Sequence, residues 1–559
     1  MPMGRSASDH TADRHPAARL PDTAVGNALP LGSEHVHERE GEAASMSIDL
    51  PVARTVSEDP SQDQLRSWVD QMPNATRTEH GNYSVQTRVT ARSAGSTYIV
   101  TDDPGTTAKQ TMSRADFASL ARAQDAHVAD CDMVHVRGYI GPEGSPFRVP
   151  AQLYIERSAA NIPGMQQQLY FPPDDDWDVD EAFTVIYTPT MATPTYPDDR
   201  VIAIDLEQWV TRVSGADYFG ESKMGSLRMW NEWVYRRGGL AMHSGAKVIP
   251  TPDGDRVALI VGLSGTGKTT TTFTRQNDSL PVQDDFVALA PGGAVHATED
   301  GCFAKTFSLD PQHEPTIHRA LTSAGSWLEN VAVADDGTVD FADASHTKNG
   351  RGTFGLADIP HFDPRKVGRA DFLLILNRND DIVPAVTRMT SVEQAVAYFM
   401  LGETRGTSAG GAAEAGKALR VPGTNPFFLR HDHLQGNRLG ELIESMDYDF
   451  GVYVLNTGEI GGTTDPEGRR SVEIEHSSAI VKAIAEQSIS WTPDSDFGYW
   501  IADQVPGIDD DELLNPRLRY ARQGREEEYT ARVAELKCQR AEYLDGHPGL
   551  HEAIRAALG

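Results

Sequence analysis

Cysteine is nearly absent: Cys131, Cys302 and Cys538 stand too far apart in 559 residues to form a disulfide framework or a metal-ligand spacing. They read as thiols of a reducing compartment. Long apolar runs are missing too. The most extended, such as Phe372–Leu376, has the length of a strand and falls far short of a membrane span. Positive charge is scarce, with 50 Lys and Arg against 81 Asp and Glu and a net charge of −31. Nucleic acid and anionic membranes would repel such a surface, so neither is expected as a partner. An acidic surface of this kind fits a protein that stays soluble in high salt. Residues 1–45 lack the apolar stretch of a signal peptide and are rich in His, Pro, Ala and Glu. They read as a disordered tail or a mis-assigned start, with domain-like sequence beginning at Met46.

What is present is a soluble, enzyme-sized chain, 39% hydrophobic and 23% charged, long enough for two or more domains. Short β-rich runs at Tyr98–Val100, Met133–Val136, Phe183–Tyr187 and Val201–Ile204 alternate with helical patterns such as Ser113–Gln124. In that helix Phe117, Leu120 and Ala121 share a face. This predicts an α/β N-terminal domain over 46–237, followed by a second α/β domain over 238–559. No internal repeat is present. The helical run Ser391–Leu401 leads into a small-residue stretch, Thr404–Lys417, whose composition suits a mobile lid or a disordered surface loop equally. Arg525–Leu558 reads as helical, with Tyr529, Val533 and Leu536 on a core-facing stripe.

The chain is organised around Gly262-Leu263-Ser264-Gly265-Thr266-Gly267-Lys268-Thr269-Thr270. A buried strand, Val257–Val261, precedes it and a helix opens after it. In this setting glycines let the backbone amides wrap a phosphate chain, the lysine reaches the terminal phosphates, and the Thr269 hydroxyl can hold Mg2+. An ordinary glycine-rich turn is the structural alternative, but strand, loop, Lys and Thr together predict a nucleoside triphosphate site. Asp284-Asp285 closes a short strand, Leu280–Gln283, where a second acidic group would meet the metal. His243 lies in a small, apolar stretch, a setting in which a lone His is usually a core residue. Arg92 and Arg351 sit in turn-like settings that suit presentation of guanidinium groups to an anion.

Taken in order, these residues resemble ATP-dependent phosphoenolpyruvate carboxykinase. Tyr218-Phe-Gly-Glu-Ser-Lys223-Met-Gly225, His243, the glycine-rich loop, Asp284-Asp285 and Asp300–Thr306 carry the resemblance first. Glu314-Pro-Thr-Ile, Glu329-Asn-Val, Asp336–Phe341, Asn349-Gly-Arg351, Asn456-Thr-Gly458 and Phe497–Gly507 continue it, so that it spans roughly Arg92 to Tyr520. The resemblance implies a two-domain α/β fold with a phosphate-loop nucleotide domain at the C-terminal side. It implies conversion of oxaloacetate and ATP to phosphoenolpyruvate, ADP and CO2 in the cytoplasm. Arg92 and Arg351 would clamp substrate carboxylates, with Arg351 also near the γ-phosphate, and Tyr218 would contact substrate or CO2. His243, Asp285 and an amine would ligate Mn2+, while Lys268 and Thr269 serve the phosphates and Mg2+. Lys305, Glu314, Arg470 and Ser477 would surround the nucleotide.

One departure bears on the metal. The family carries two adjacent lysines where this chain has Lys223 and Met224, and the second is the metal-ligating amine. A thioether is a poor partner for Mn2+. Lys223 supplies the amine after a backbone shift, a water replaces it, or the metal site is weakened. Asp465–Arg470 also replaces a shorter family segment near the base, so the preference for ATP rests on overall resemblance. Two competing readings follow: a kinase on the same phosphate-loop core, and a nucleotide sensor that has lost catalysis. Oligomeric state is open between a monomer and a small homo-oligomer.

Overall fold

The structure is a computed structural model that describes residues 48–263, 265–405 and 418–558. The expectations for the 1–45 tail, the start at Met46, Ser264 and most of the 404–417 stretch fall outside the described residues.

Residues 55–214 supply an eight-stranded mixed sheet. Its spatial order is Thr55–Glu58, Asp132–Ile140, Val149–Glu156, Phe183–Thr188, Val210–Ser214, Val201–Asp205, Thr97–Val100 and Thr111–Met112. All four β-rich runs expected in this part of the chain are strands of it. Val149–Glu156, Phe183–Thr188 and Val201–Asp205 are buried along their whole length, so apolar side chains occupy both faces of these strands. The helix Arg114–Val128 starts where the Ser113 side chain accepts from the Asp116 amide, and it buries Phe117, Leu120 and Val128. The long helix Phe219–Arg236 packs closely on the sheet at Gly225, where an added Cβ would come within 3.0 Å of Val185.

A second eight-stranded sheet is drawn from residues 244–504. Its order is Leu280–Gln283, Ser244–Thr251, Gly254–Val261, Phe372–Asn377, Gly451–Asn456, Val386–Arg388, Trp500–Gln504 and Ser490–Pro493. Gly254–Val261, Phe372–Asn377 and Gly451–Asn456 run parallel to one another. Side chains of Phe372–Asn377 alternate between two apolar layers: Leu373 and Ile375 pack with the helix Val392–Leu401, and Phe372, Leu374 and Leu376 with the helix Ile474–Ala485. The C-terminal helical stretch differs from expectation. It runs as Glu526–Asp545, breaks, and resumes as Glu552–Ala556, because Gly546, Pro548 and Gly549 cannot continue a helix. Tyr529 and Val533 are buried as expected, and Leu536 is partly buried.

A smaller five-stranded sheet has the order Gly301–Lys305, Arg351–Gly355, Trp327–Glu329, Tyr83–Val85 and Ala75–Arg77. Its register sets Lys305 opposite Arg351 and Arg351 opposite Glu329, so the three side chains stand in one row across the sheet. Among the described residues no helix is long and apolar enough to cross a membrane.

Candidate active site

One end of the second sheet gathers most of the chemistry. The glycine-rich loop follows Gly254–Val261, Arg378 follows Phe372–Asn377, and Thr457 follows Gly451–Asn456, all at the carboxyl ends of parallel strands, where open α/β sheets bind ligands. Leu280–Gln283 runs in the same sense and delivers Asp284 and Asp285 to this end. His243 stands just before Ser244–Thr251, which runs the opposite way, so it arrives there too. The loop is braced from both neighbours: Arg378 Nη1 donates to the Gly265 carbonyl at 2.9 Å and the Thr457 hydroxyl to the Thr266 carbonyl at 2.7 Å. Gly267 has φ +90°, a conformation that costs other residues strain, and the helix Lys268–Phe273 starts directly after it.

The loop, Arg378, His243, Asp284 and Asp285 line a cavity of about 420 Å3. Its centre is Asp285. One carboxylate oxygen lies 2.9 Å from His243 Nε2 and 3.0 Å from Lys268 Nζ, and the other lies 2.8 Å from Lys223 Nζ. The Lys223 and Lys268 ammoniums hold Asp285 well below the usual carboxylate range despite its burial. Lys223 is fully buried and its ammonium is shared with Glu299, also at 2.8 Å. Burial pushes Glu299 up to about 7 and Asp284 to about 6, and Asp284 Oδ1 is buried without a hydrogen-bond partner.

Another part of the cavity wall presents guanidinium groups. Arg92 lies over the Phe427 ring at 5.2 Å and Arg351 over Phe303 at 5.2 Å, and Arg351 Nε is buried with no hydrogen-bond partner. The segment carrying Arg92 is fixed at successive residues. The Thr87 amide donates to Asn330, the Arg88 and Val89 amides to Asp217 at 2.9 and 3.0 Å, and the Ser93 amide to Glu221 at 2.7 Å. Asn349 Nδ2 donates to the Thr90 carbonyl at 2.7 Å and lies 3.3 Å from the Tyr218 hydroxyl. Burial raises the Tyr218 phenol above its ordinary value, so it stays protonated and able to donate.

Glu329 anchors the same wall. One of its oxygens accepts from the Phe219 amide at 2.8 Å, and the other is buried without a partner. Burial raises it from 4.5 to about 8. The folded state therefore binds a proton that the unfolded state has released between those values. Stability from this group is complete below pH 4.5 and is lost as pH rises through 8. Glu329→Gln keeps an acceptor for the Phe219 amide and removes the titration. Its unfolding free energy from urea titration should gain on the wild type by a few kcal/mol between about pH 5 and 8. Parallel curves across that range would refute the assignment.

His243 Nδ1 lies 2.9 Å from the Thr424 carbonyl, which can only accept, so the proton sits on Nδ1 and Nε2 carries the lone pair. Burial and the Lys268 ammonium keep the ring below its ordinary pKa and neutral. A lone pair thus faces a carboxylate oxygen at 2.9 Å. Two cis ligands about 2.1 Å from an octahedral divalent ion stand roughly 3.0 Å apart, so this pair fits such an ion. The thioether of Met224 lines the same cavity.

All eight residues expected to be catalytic, Arg92, Tyr218, Lys223, His243, Lys268, Asp284, Asp285 and Arg351, meet in this one cavity. Leu263, Gly265, Gly267, Thr269, Thr270, Lys305 and Glu314 join them, with the Thr270 hydroxyl donating to Glu314 at 2.8 Å. Thr266 and Ser477 line an adjoining cavity of about 140 Å3 instead. Gly262 lies behind the loop, where a Cβ would meet Thr266 Oγ1 at 2.4 Å. Arg470 is not brought to either cavity: its guanidinium pairs with Asp510 at 2.8 Å and Glu512 at 3.1 Å. Sequence reasoning missed Glu299, Phe303, Phe427, Arg378 and Asp217. Asp217 precedes Tyr218, Glu299 precedes Asp300 and Phe303 lies within Asp300–Thr306, whereas no sequence signal marks Phe427.

Comparison with known proteins accounts for this assembly. Residues 54–511 match the family model described as phosphoenolpyruvate carboxykinase. A protein of Aeropyrum pernix named phosphoenolpyruvate carboxykinase (ATP) is 30% identical over 86% of this chain and 94% of its own. One of Mesorhizobium japonicum with the same name is 29% identical over 85% and 89%, and one of Moorella thermoacetica is 29% identical over 82% and 88%. The expected resemblance is borne out, and the chain belongs to the phosphoenolpyruvate carboxykinase family.

Proposed function

We propose that this protein converts oxaloacetate and ATP to phosphoenolpyruvate, ADP and CO2. The observation that carries the reading is the single cleft in which two guanidinium groups, a phosphate loop with its lysine, and an imidazole–carboxylate pair face one another. Arg92 and Arg351 bind the substrate carboxylates. Tyr218, protonated, donates to the substrate or to the departing CO2. Lys268 leaves Asp285 for the terminal phosphates, while Lys223 remains to offset that carboxylate. Lys305 and Arg351, opposite each other in register, neutralise charge as the enolate oxygen attacks the γ-phosphoryl group. His243 and Asp285 would hold a divalent ion, Mn2+ being favoured by the mixed donors, which would supply Lewis acidity toward the enolate, and Thr269 would hold Mg2+ for the phosphates. Lys223, placed by sequence among the ligands, is better supported as counter-ion to Asp285 and Glu299.

The two eight-stranded sheets, drawn from residues 55–214 and 244–504, support a division at residue 237/238, and the five-stranded sheet crosses it. In this reading the second half is the phosphate-loop nucleotide domain. The partners are oxaloacetate, phosphoenolpyruvate, CO2, ATP and ADP, the compartment is the cytoplasm, and the protein is a monomer or small homo-oligomer. Gly262, Ser264 and Ser477 complete the nucleotide set, and Arg470, held by Asp510 and Glu512, is left out of it.

The test is a coupled assay in high-potassium buffer with oxaloacetate, ATP or GTP, and Mg2+ with or without Mn2+. Phosphoenolpyruvate formed with ATP and enhanced by Mn2+ is expected. Tight ATP binding with no product would instead support the sensor reading that Met224 motivates. Asp217→Ala should free the Arg88 and Val89 amides and displace Arg92. KM for oxaloacetate should rise at least about tenfold, the scale of losing one charged hydrogen bond, while ATP affinity holds. An unchanged KM would show that Asp217 does not position Arg92.

A further inference from the structure

Lys247 is fully buried on the strand Ser244–Thr251, and among the described residues no carboxylate raises its pKa; burial alone acts on it and pushes it down to about 7. A methionine or leucine would fill this position at lower cost, because an ammonium out of water forfeits its hydration. Its three protons are nonetheless all placed. Nζ donates to the Thr271 carbonyl at 3.0 Å, to the Thr274 carbonyl, and to Gln276 Oε1 at 2.7 Å.

The first two acceptors belong to the end of the helix Lys268–Phe273, which Thr274 caps. Helix ends leave carbonyls unpaired and partly negative, so a cation there completes them and holds the helix in place. The strand and this helix touch closely beside Lys247: a Cβ at Gly245 would fall 2.2 Å from Thr272 Oγ1. The other end of the same helix is Lys268 and Thr269. Any tilt released at Thr271–Thr274 is therefore felt at the loop.

The third acceptor is oriented by the contact. Gln276 turns its oxygen inward to accept from Nζ, and its NH2 then faces Ser478 Oγ, to which it donates at 3.2 Å. Gln276 and Ser478 both line the adjoining cavity, which shares Gly265, Gly267, Thr270 and Arg378 with the larger one. We propose that Lys247 is a positioning residue of the nucleotide site: it pins the phosphate-loop helix at its far end and sets which face of the Gln276 amide meets the nucleoside. This rests on the reading that ATP lays its triphosphate along the loop and its nucleoside in the adjoining cavity.

The test is calorimetric titration of the whole protein with ATP and with inorganic tripolyphosphate, which engages the loop but has no nucleoside. Lys247→Met should weaken ATP at least about tenfold, as loss of a charged hydrogen bond implies, and should weaken tripolyphosphate as well. Gln276→Leu should weaken ATP and leave tripolyphosphate unchanged. In turnover, KM for ATP should rise in both variants while KM for oxaloacetate stays within about twofold, a split that general damage would not give. Wild-type ATP affinity in Lys247→Met overturns the proposal. If that variant does not fold, wild-type ATP affinity in Gln276→Leu overturns it. A wild-type protein that binds no ATP would instead sink the functional reading on which the proposal rests.

Discussion

Lys268→Ala is expected to slow phosphoenolpyruvate formation by at least about 100-fold, or about 3 kcal/mol in the barrier, the scale of losing one preorganised electrostatic contact to the transition state. The ammonium sits 3.0 Å from Asp285 at the start of the loop helix, poised between that carboxylate and the space where the phosphates would lie. Removing it leaves Asp285 still paired with Lys223 and His243, so the fold should survive and ATP should bind more weakly rather than not at all. Single-turnover quench measurements separate the two effects. Near-wild-type transfer in a folded variant would refute the assignment of the loop.

Asp285→Asn should do more damage, and to stability as well as rate. Asp285 is approached by His243, Lys223 and Lys268 within 3.0 Å. Neutralising it strands buried positive charge, which costs about 3–5 kcal/mol when one partner of a buried ion pair is removed. Glu299 still compensates Lys223, so the lower end of that range is the expected loss. Turnover should fall by about 1000-fold or more, because the lost carboxylate is also half of the pair that fits a divalent ion. Urea unfolding at neutral pH and an assay across Mn2+ concentrations check the two parts. A variant as stable as wild type would show that the cluster is not organised around Asp285.

The local features were legible in the sequence and the long-range ones were not. The glycine-rich loop announced itself because strand, loop and helix are contiguous, and the core strands because burial on both faces leaves unbroken apolar runs such as Phe372–Leu376. The C-terminal helix break at Gly546–Gly549 was equally readable but was passed over, since the stripe of Tyr529 and Val533 dominates the pattern. Other parts depend on pairings that no periodicity encodes. Trp327–Glu329 pairs with Tyr83–Val85, Asp217 clamps Arg88, and Glu299 meets Lys223, each across a long stretch of chain. Arg470 was drawn into the nucleotide set by its neighbourhood in sequence, whereas its charge is engaged by Asp510 and Glu512. Nothing in the sequence marks Lys247, whose burial and three acceptors come from the packing of Ser244–Thr251 against Lys268–Phe273.

The central claim is that one cleft joins decarboxylation to phosphoryl transfer. It is tested most directly by incubating the purified protein with oxaloacetate and γ-labelled ATP and counting label in phosphoenolpyruvate against CO2 released and ADP formed. The account predicts equal amounts of all three, lost together in Lys268→Ala. Label in water-released phosphate or in another acceptor, with oxaloacetate intact, would contradict it.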